Sequence, residues 1–345
     1  MQVGWILDRS LSDSSRAVVA ARYIRVVTLI AVLFLSLLLL SSCGGGQSAG
    51  STSPSGGEPS QGGASSASGQ TSGPTYSEPS QVTLSAFDSA SAQVVGSGAI
   101  DISNANLGYV GATIVSSSRC KFQVVKGDMS YNYDMNTDGT PIIVPMNMGS
   151  GSYRFRIMQN TSASNYAEVG ALDVDVQLDD EFAPFLRPNI FCSYDASSAC
   201  VKKAFELASG AQNEGDVVRS IYEWMVTSID YDTQKASELA NTSGYIPNPD
   251  ETLQSGYGIC FDYASLAAAM FRSLGIPCQI ITGYVDPDNL YHAWNMIYID
   301  GQWVSAEITV DSDKWTRIDL TFAAADGGNS NYTGNGTTYT DRYVY

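Results

Sequence analysis

Cys260 is the residue whose setting best suits covalent catalysis. It follows two glycines, Gly256 and Gly258, and stands at the start of an apolar helix that we expect to be buried. Unpaired N–H groups and the helix dipole lower the pKa of a thiol at such a position, which favours the nucleophilic thiolate. His292 stands on a predicted strand downstream and can act as general base only if the fold brings it against the thiol. The pattern indicates nucleophilic catalysis, with a third group orienting the imidazole.

The elements that must position these residues change from helices to strands along the chain. Two helices are predicted before Cys260, over 198–212 and 214–229. The polar residues 233–255, with two prolines, predict a loop. After the Cys260 helix, strands are predicted over 278–285, 291–299, 302–310, 314–322 and 337–345. Helices followed by an antiparallel sheet predict an α+β domain over 196–345.

Three sequence blocks in this domain form a specific combination. They are GICFDYA at 258–264 with LGIP at 274–277, YHAWN at 291–295 with GQW at 301–303, and IDYD at 229–232. With these blocks, residues 198–345 resemble the transglutaminase-like superfamily, whose core is similar to that of papain-type cysteine proteases. The resemblance implies a nucleophile helix packed on an antiparallel sheet, a Cys–His–Asp triad and an acyl-enzyme thioester that an amine or water attacks. It implies no cofactor and no metal.

The acidic residue of the implied triad has two candidates. The usual short spacing from the histidine falls on Glu307, within WVSAEIT at 303–309. The later segment WTRIDLTF at 315–322 matches the superfamily's Trp–Asp-Pro-Thr-Phe block better, with Leu320 in place of proline. We therefore predict Asp319. That choice requires residues 302–312 to leave the sheet, so that the Asp319 strand pairs directly with the His292 strand. If residues 302–312 instead form a strand of the sheet next to the His292 strand, Glu307 is favoured.

The N-terminus has the pattern of an exported, anchored protein. Four arginines precede the uncharged apolar stretch 26–40, and Cys43 follows it in LSSC, which resembles a bacterial lipobox. We predict a signal peptide over 1–42 and lipidation of Cys43; a plain signal peptide or a signal anchor is the alternative. Residues 43–80, rich in glycine and serine, predict a disordered tether. The expected location is therefore extracytoplasmic, on the bacterial cell membrane.

Residues 81–190 contain short alternating runs separated by Gly, Asn and Asp clusters. This pattern predicts an antiparallel β-sandwich. The region has no histidine and no catalytic constellation. The predicted fold class is thus an α+β transglutaminase-like core preceded by an all-β sandwich domain.

Composition excludes other classes of function. The 18 Lys and Arg against 35 Asp and Glu give a formal charge of −17, so there is no basic surface for nucleic acid. A single histidine excludes zinc sites that need two or three imidazoles. Of the six cysteines, five remain after Cys43, and an odd number leaves at least one thiol free. Cys192 and Cys200 are our first candidates for a disulfide, although the sequence does not fix the pairing.

These observations predict a membrane-anchored acyltransferase or hydrolase. Cys260, His292 and Asp319 would act on amides of a protein or peptide substrate, a cell-wall peptide being one such class. We expect a monomer. The alternative is a surface-binding or adhesion lipoprotein with the same folds and an inert triad.

Overall fold

The computed structural model describes residues 70–240, 242, 244–286, 289–304, 309–310, 315–325 and 339–345. All of them belong to one unit, Gly69–Tyr345. Cys43, Glu307, the predicted signal peptide and most of the predicted tether lie outside the described residues. Among the helices that are described, none has the length and apolar character needed to span a bilayer.

The first half of the described chain contains two four-stranded antiparallel sheets. One has the order β2-β3-β4-β7, with β2 Gln93–Val95, β3 Gly98–Asp101, β4 Tyr109–Ile114 and β7 Ile142–Pro145. The other has the order β6-β5-β8-β9, with β5 Cys120–Lys126, β6 Met129–Met135, β8 Gly151–Ser162 and β9 Asn165–Val176. Along β5, Cys120, Phe122 and Val124 are buried and alternate with half-exposed residues, the period of a strand with one face in the core. The predicted strand-rich region is confirmed.

Five helices of the described residues come before the sheet of the second half. They are α1 Ala199–Ala208, α2 Glu214–Ser228, α3 Thr233–Leu239, α4 Pro249–Ser255 and α5 Cys260–Ser273. The prediction of a loop over 233–255 was wrong for α3 and α4. Asp232 caps α3 by accepting a hydrogen bond from Lys235 N, and Asn248 caps α4, with Pro249 in the first helical turn. A proline there costs no intrahelical hydrogen bond, so it begins the helix instead of breaking it.

The second-half sheet has the strand order β16-β13-β12-β17, all antiparallel. Its strands are β12 Cys278–Val285, β13 Leu290–Tyr298, β16 Trp315–Ile318 and β17 Tyr339–Val344. Two further strands, β14 Gln302–Val304 and β15 Thr309–Val310, form a separate small sheet with β1 Gln70–Ser72. Residues 302–304 and 309–310 therefore leave the main sheet, and β16 pairs directly with the histidine strand β13. The sequence-based choice of Asp319 over Glu307 requires this direct pairing of β16 with β13.

Two sequence expectations differ from the structure near these strands. The predicted strand over 314–322 ends at Ile318, because Asp319 Oδ1 accepts from Phe322 N and begins helix α6, Leu320–Ala325. Gln70–Ser72, within the predicted tether, pair with β14 as strand β1. The tether prediction does not hold for these three residues, because an antiparallel partner satisfies their backbone.

The predicted Cys192–Cys200 disulfide is wrong. Both residues are buried free thiols, as are Cys120 and Cys278, and Cys260 is a half-buried free thiol. The backbone N–H of Cys200 donates to the Asp250 carboxylate at 2.8 Å. Burial raises the pKa of Cys192 to about 11, so this thiol stays protonated and unreactive at neutral pH.

Helix α5 is the central element of the second half. Every residue from Phe261 to Ser273 is buried, as its apolar composition predicts. The buried Arg272 guanidinium donates to three carbonyl oxygens, those of Cys278 at 2.8 Å, Arg187 at 3.0 Å and Tyr345 at 2.8 Å. Arg272 thereby ties the end of α5 to β12, to the segment before α1 and to the C-terminal residue.

We expect Arg272→Met to lower the free energy of unfolding by about 2–4 kcal/mol, because three buried carbonyls lose a charged donor. Urea denaturation followed by circular dichroism measures this change. Arg219→Met is the matched control, since Arg219 makes a partly exposed ion pair with Asp216 one helical turn away. It should cost less than about 1 kcal/mol. Equal effects of the two substitutions would contradict the role given to Arg272.

Candidate active site

The loop before Cys260 is held by backbone pairing and by two glycines. Gly256 ends α4 in the left-handed region, with φ of 70°. The next residues form β11 Tyr257–Gly258, which pairs in parallel with β10 Asp230–Tyr231. A Cβ on Gly258 would lie 2.7 Å from Asp262 Cβ, so this position requires glycine. The IDYD block at 229–232 thus fixes the approach of the chain to the nucleophile.

Asp262 anchors the first turn of α5. Its side chain is fully buried, and its Oδ2 accepts from Ile259 N at 2.9 Å. Lys235 Nζ lies 2.7 Å from the same carboxylate oxygen, and the Tyr245 hydroxyl donates to Oδ1. A negative charge in the first turn of a helix is favourable. The half-buried Lys235 and the Tyr245 phenol add to this and fix the helix start that carries Cys260.

His292 and Asp319 meet inside the sheet. His292 Nε2 lies 2.8 Å from Asp319 Oδ2, and the two residues are 3% and 0% exposed. The pairing of β13 with β16 ends where Asn295 faces Ile318. Asp319 follows Ile318 directly, and His292 precedes Asn295 on β13, so both lie just beyond this pairing. The 2.8 Å contact fixes the orientation of the imidazole ring.

The Asp319 carboxylate has further donors on both oxygens. The Tyr339 hydroxyl donates to Oδ2 at 2.8 Å, and Phe322 N donates to Oδ1 at 3.1 Å. Tyr339 lies on β17, at the opposite edge of the sheet from β16. These bonds stabilise the ionised carboxylate in a site from which water is excluded.

Cys260 lies on the other side of the imidazole. Its sulfur lies close enough to His292 for its charge and hydrogen bonding to raise the pKa of the imidazole. Because Nε2 is bonded to Asp319, Nδ1 is the ring nitrogen left for the sulfur. The structure therefore brings the three predicted residues together, with His292 next to both Cys260 and Asp319.

The electrostatics of the site favour a charged imidazole. Burial by itself lowers the pKa of His292, but the negative charges of Asp319 and Cys260 and their hydrogen bonds outweigh it and raise the pKa to about 10. His292 is then an imidazolium at neutral pH, placed between a carboxylate and a sulfur. A cation beside a cysteine at a helix N-terminus stabilises the thiolate form of that cysteine.

Aromatic rings enclose the imidazole. Phe322 stacks on His292 with ring centroids 4.4 Å apart, and Trp294, which is buried, lies 6.2 Å away at a similar tilt. A Cβ on Gly283, opposite His292 in β12, would lie 2.1 Å from Thr340 O, so glycine is needed where β12 and β17 approach. Trp294 forms a wall beside the histidine.

Sequence reasoning missed Lys235, Tyr245 and Tyr339. Each acts through a residue that the motifs did identify, Asp262 or Asp319, and each belongs to another element or loop. No spacing in the sequence relates them to their partners. Within the part of the chain that the structure describes, no group of three or more His, Cys, Asp or Glu residues could hold a metal ion. Glu307, the alternative acid, lies outside the described residues.

The sequence around the site also matches a known protein family. Residues 201–308 match the sequence profile of the Transglutaminase-like superfamily. This part of the chain is a transglutaminase-like domain. The resemblance seen in the cysteine and histidine blocks is confirmed. Asp319 and Tyr339 lie beyond the matched range, so the structure, and not the profile, relates them to His292.

Curated relatives align with part of this chain. The mouse kyphoscoliosis peptidase is 28% identical over 108 residues, covering 28% of this chain and 16% of that protein. The human kyphoscoliosis peptidase is 27% identical over 130 residues, covering 34% and 19%. The chain thus spans less than a fifth of the length of these two relatives. Among solved structures, a candidate cysteine protease from Cytophaga hutchinsonii aligns at 17% identity over 68% of this chain and 80% of its own, with a TM-score of 0.32.

The chain has a single histidine, so its ring signals in NMR spectra of untagged protein belong to His292. We expect the imidazole to titrate near pH 10, since Asp319 and Cys260 raise its pKa to about that value. Asp319→Asn should lower the midpoint by about 1–3 pH units, because a neighbouring negative charge is removed. Asp341→Asn, an exposed change on β17, should leave the midpoint in place.

The same shift fixes the direction of the pH dependence of stability. The pKa of His292 is raised from 6.5 on folding, so its stabilising contribution is complete below pH 6.5 and is lost as the pH rises through about 10. A midpoint near 6.5 in the unsubstituted protein would contradict the proximity of Asp319 and Cys260.

Proposed function

We propose that the chain is a cysteine-dependent acyltransferase or hydrolase acting on amide bonds of protein or peptide substrates. The observation that carries this proposal is the line of contacts from the Cys260 thiol through the His292 ring to the Asp319 carboxylate. The transglutaminase-like domain match supports it. The mouse and human relatives are named peptidases, which is consistent with amide cleavage.

In the proposed reaction, the Cys260 sulfur attacks the substrate carbonyl carbon and forms a C–S bond. The backbone N–H of Cys260, the first helical residue, has no acceptor within the helix and is available to stabilise the oxyanion. His292 gives its proton to the leaving amine as the C–N bond breaks, which leaves a thioester. Asp319, held by Tyr339, keeps the ring oriented and stabilises its positive charge.

The second half of the reaction returns the enzyme to its starting state. Water or a primary amine attacks the thioester, and neutral His292 removes a proton from this nucleophile. The Cys260 thiolate then leaves and the imidazolium is restored. Water gives hydrolysis, whereas an amine gives a new amide, so the acceptor decides between peptidase or amidase activity and cross-linking.

The proposed setting is the outer side of a bacterial cell membrane. The apolar stretch 26–40 and the LSSC block ending at Cys43 support export and lipidation. A peptide of the cell wall is a substrate within reach of a domain anchored there. The monomeric state is likewise part of the proposal.

Iodoacetamide labelling tests the nucleophile. In the full-length protein near neutral pH we expect Cys260 to be alkylated at least about tenfold faster than a free cysteine, because the neighbouring imidazolium stabilises its thiolate. His292→Ala should remove that excess. The buried thiols of Cys120, Cys192, Cys200 and Cys278 serve as internal controls and should react slowly. Peptide mass spectrometry at timed quenches gives the rate at each position.

Two outcomes would count against the proposal and favour an inert binding or adhesion protein. One is alkylation of Cys260 at the rate of an ordinary thiol, unchanged by His292→Ala. The other is recovery of Cys260 in a disulfide from the native protein.

The anchor has its own test. Cys43→Ala should move the protein from the membrane fraction to the soluble fraction of a bacterial host, since the lipid attachment is lost. Cys120→Ala, which changes a buried thiol, is the matched control and should leave the distribution unchanged. Retention of the Cys43→Ala protein on the membrane would indicate a signal anchor instead.

A further inference from the structure

Arg317, on edge strand β16, lies over aromatic rings from two other strands of the sheet. Its guanidinium carbon is 4.3 Å from the centre of the Tyr339 ring and 5.8 Å from that of the Trp294 ring. The two rings meet edge to face, with centroids 4.9 Å apart and planes at 77°. The Nε atom of Arg317 is buried and has no hydrogen-bond partner within the described residues. The arrangement is a cation–π contact, in which a cation is attracted to the face of an aromatic ring.

The guanidinium belongs to the face of the sheet that carries the imidazole. His292, Trp294 and Met296 are separated by two residues each along β13, so their side chains point to the same side. Arg317 faces Met296 in the register of β16 with β13, which places its side chain on that side as well. Tyr339 reaches the same region from β17, the opposite edge strand. One cation thus joins the two edges of the sheet beside the triad.

The Tyr339 hydroxyl and the imidazole bind the same oxygen of Asp319. The hydroxyl donates to Oδ2 at 2.8 Å, and His292 Nε2 also lies 2.8 Å from Oδ2. The two donors share the negative charge of one oxygen, so a stronger bond from the phenol leaves less of that charge for the imidazole. The strength of the phenol's bond therefore bears on how well Asp319 stabilises the imidazolium.

A cation on the face of a phenol ring makes its hydroxyl a stronger donor, because the positive charge stabilises the electron density that the O–H bond gives to the ring. The guanidinium keeps its charge throughout the pH range in which proteins fold. Arg317 is half-buried, and a cation–π contact is stronger where water is excluded. Asp319 and Cys260 are the ionisable groups whose charges raise the pKa of His292. Arg317 reaches the first of them through the Tyr339 ring.

We propose that Arg317 is a positioning residue that acts on the triad through Tyr339: its charge strengthens the hydrogen bond from the phenol to Asp319 and so limits how strongly the carboxylate stabilises the His292 imidazolium. Without this limit, the imidazolium would be stabilised further and would transfer its Nδ1 proton to the leaving amine more slowly. The inference rests on the proposed function, because it assigns that proton transfer to His292.

The experiment follows the ring of the single histidine by NMR in the full-length protein. Arg317→Met removes the charge and keeps most of the apolar length, and we expect it to raise the midpoint of the imidazole titration by about 0.3–1 pH units. Tyr339→Phe keeps the ring and removes the donor, and it should raise the midpoint at least as much. Arg342→Met is the matched control, since Arg342 lies over the Tyr343 ring of the same sheet at 5.4 Å. It should leave the midpoint unchanged.

The sign of the change separates this role from a purely structural one. Loosened packing would part His292 from Asp319 and lower the midpoint, whereas loss of the polarised phenol raises it. The proton on Nε2 gives a second readout at neutral pH. We expect its ¹H signal to move downfield in Arg317→Met, because the imidazolium then donates more strongly to Asp319. Arg317→Lys keeps the charge and should show less than half of the shift seen for Arg317→Met.

The double variant Arg317→Met with Tyr339→Phe tests the route. We expect its midpoint to equal that of Tyr339→Phe alone, since the cation then has no hydroxyl on which to act. An unchanged or lowered midpoint in Arg317→Met would overturn the proposal, as would a full effect of Arg317→Met in the double variant. If Arg317→Met does not fold, Arg317→Gln takes its place. Alkylation of Cys260 in the unsubstituted protein tests the nucleophile separately, so failure of the proposed function is distinguishable from failure of this inference.

Discussion

The hydrogen-bonded pair of His292 and Asp319 is the interaction on which the geometry of the candidate site depends. Both residues are buried, and each lies 2.8 Å from the other, so their opposite charges compensate for the lost hydration. This requirement constrains the sheet: the strand that carries the histidine must pair directly with the strand that ends at the aspartate. It also explains why the carboxylate has two more donors, Tyr339 and the start of α6. An unpaired charge at this depth would destabilise the whole second half.

A second buried charge sets the position of the thiol. Asp262 is held by Lys235, Tyr245 and the backbone of Ile259, and it fixes the first turn of α5 where Cys260 begins the helix. At the other end, Arg272 binds three carbonyls and ties the helix to the sheet that carries His292. The helix that presents the thiol is therefore fixed at both ends. Such support keeps a nucleophile and a base within hydrogen-bonding distance without a ligand.

The strand-rich half is joined to the same helix. One hydrophobic core includes buried side chains of both halves, among them Phe122, Phe155 and Leu266. Phe191, between the two halves in sequence, also contacts α5, because its carbonyl accepts from Ser265 Oγ at 2.6 Å. A separate boundary between a domain at 81–190 and one at 196–345 stays a prediction.

The sequence by itself determined the elements with local patterns. Glycines before Cys260, an apolar helix after it, and the YHAWN block predicted the thiol and the imidazole, because these motifs are contiguous in the chain. It could not predict helices α3 and α4, whose short lengths depend on caps from Asp232 and Asn248, and it wrongly paired Cys192 with Cys200, because sequence proximity says nothing about where a buried thiol points. The spacing allowed two acids, and the segment match at 315–322 favoured Asp319. Only the tertiary structure decided that Asp319 meets His292, because residues 302–304 and 309–310 leave the sheet and β16 lies beside β13. Long-range pairing of this kind is set by the packing of the whole sheet, which no local pattern encodes.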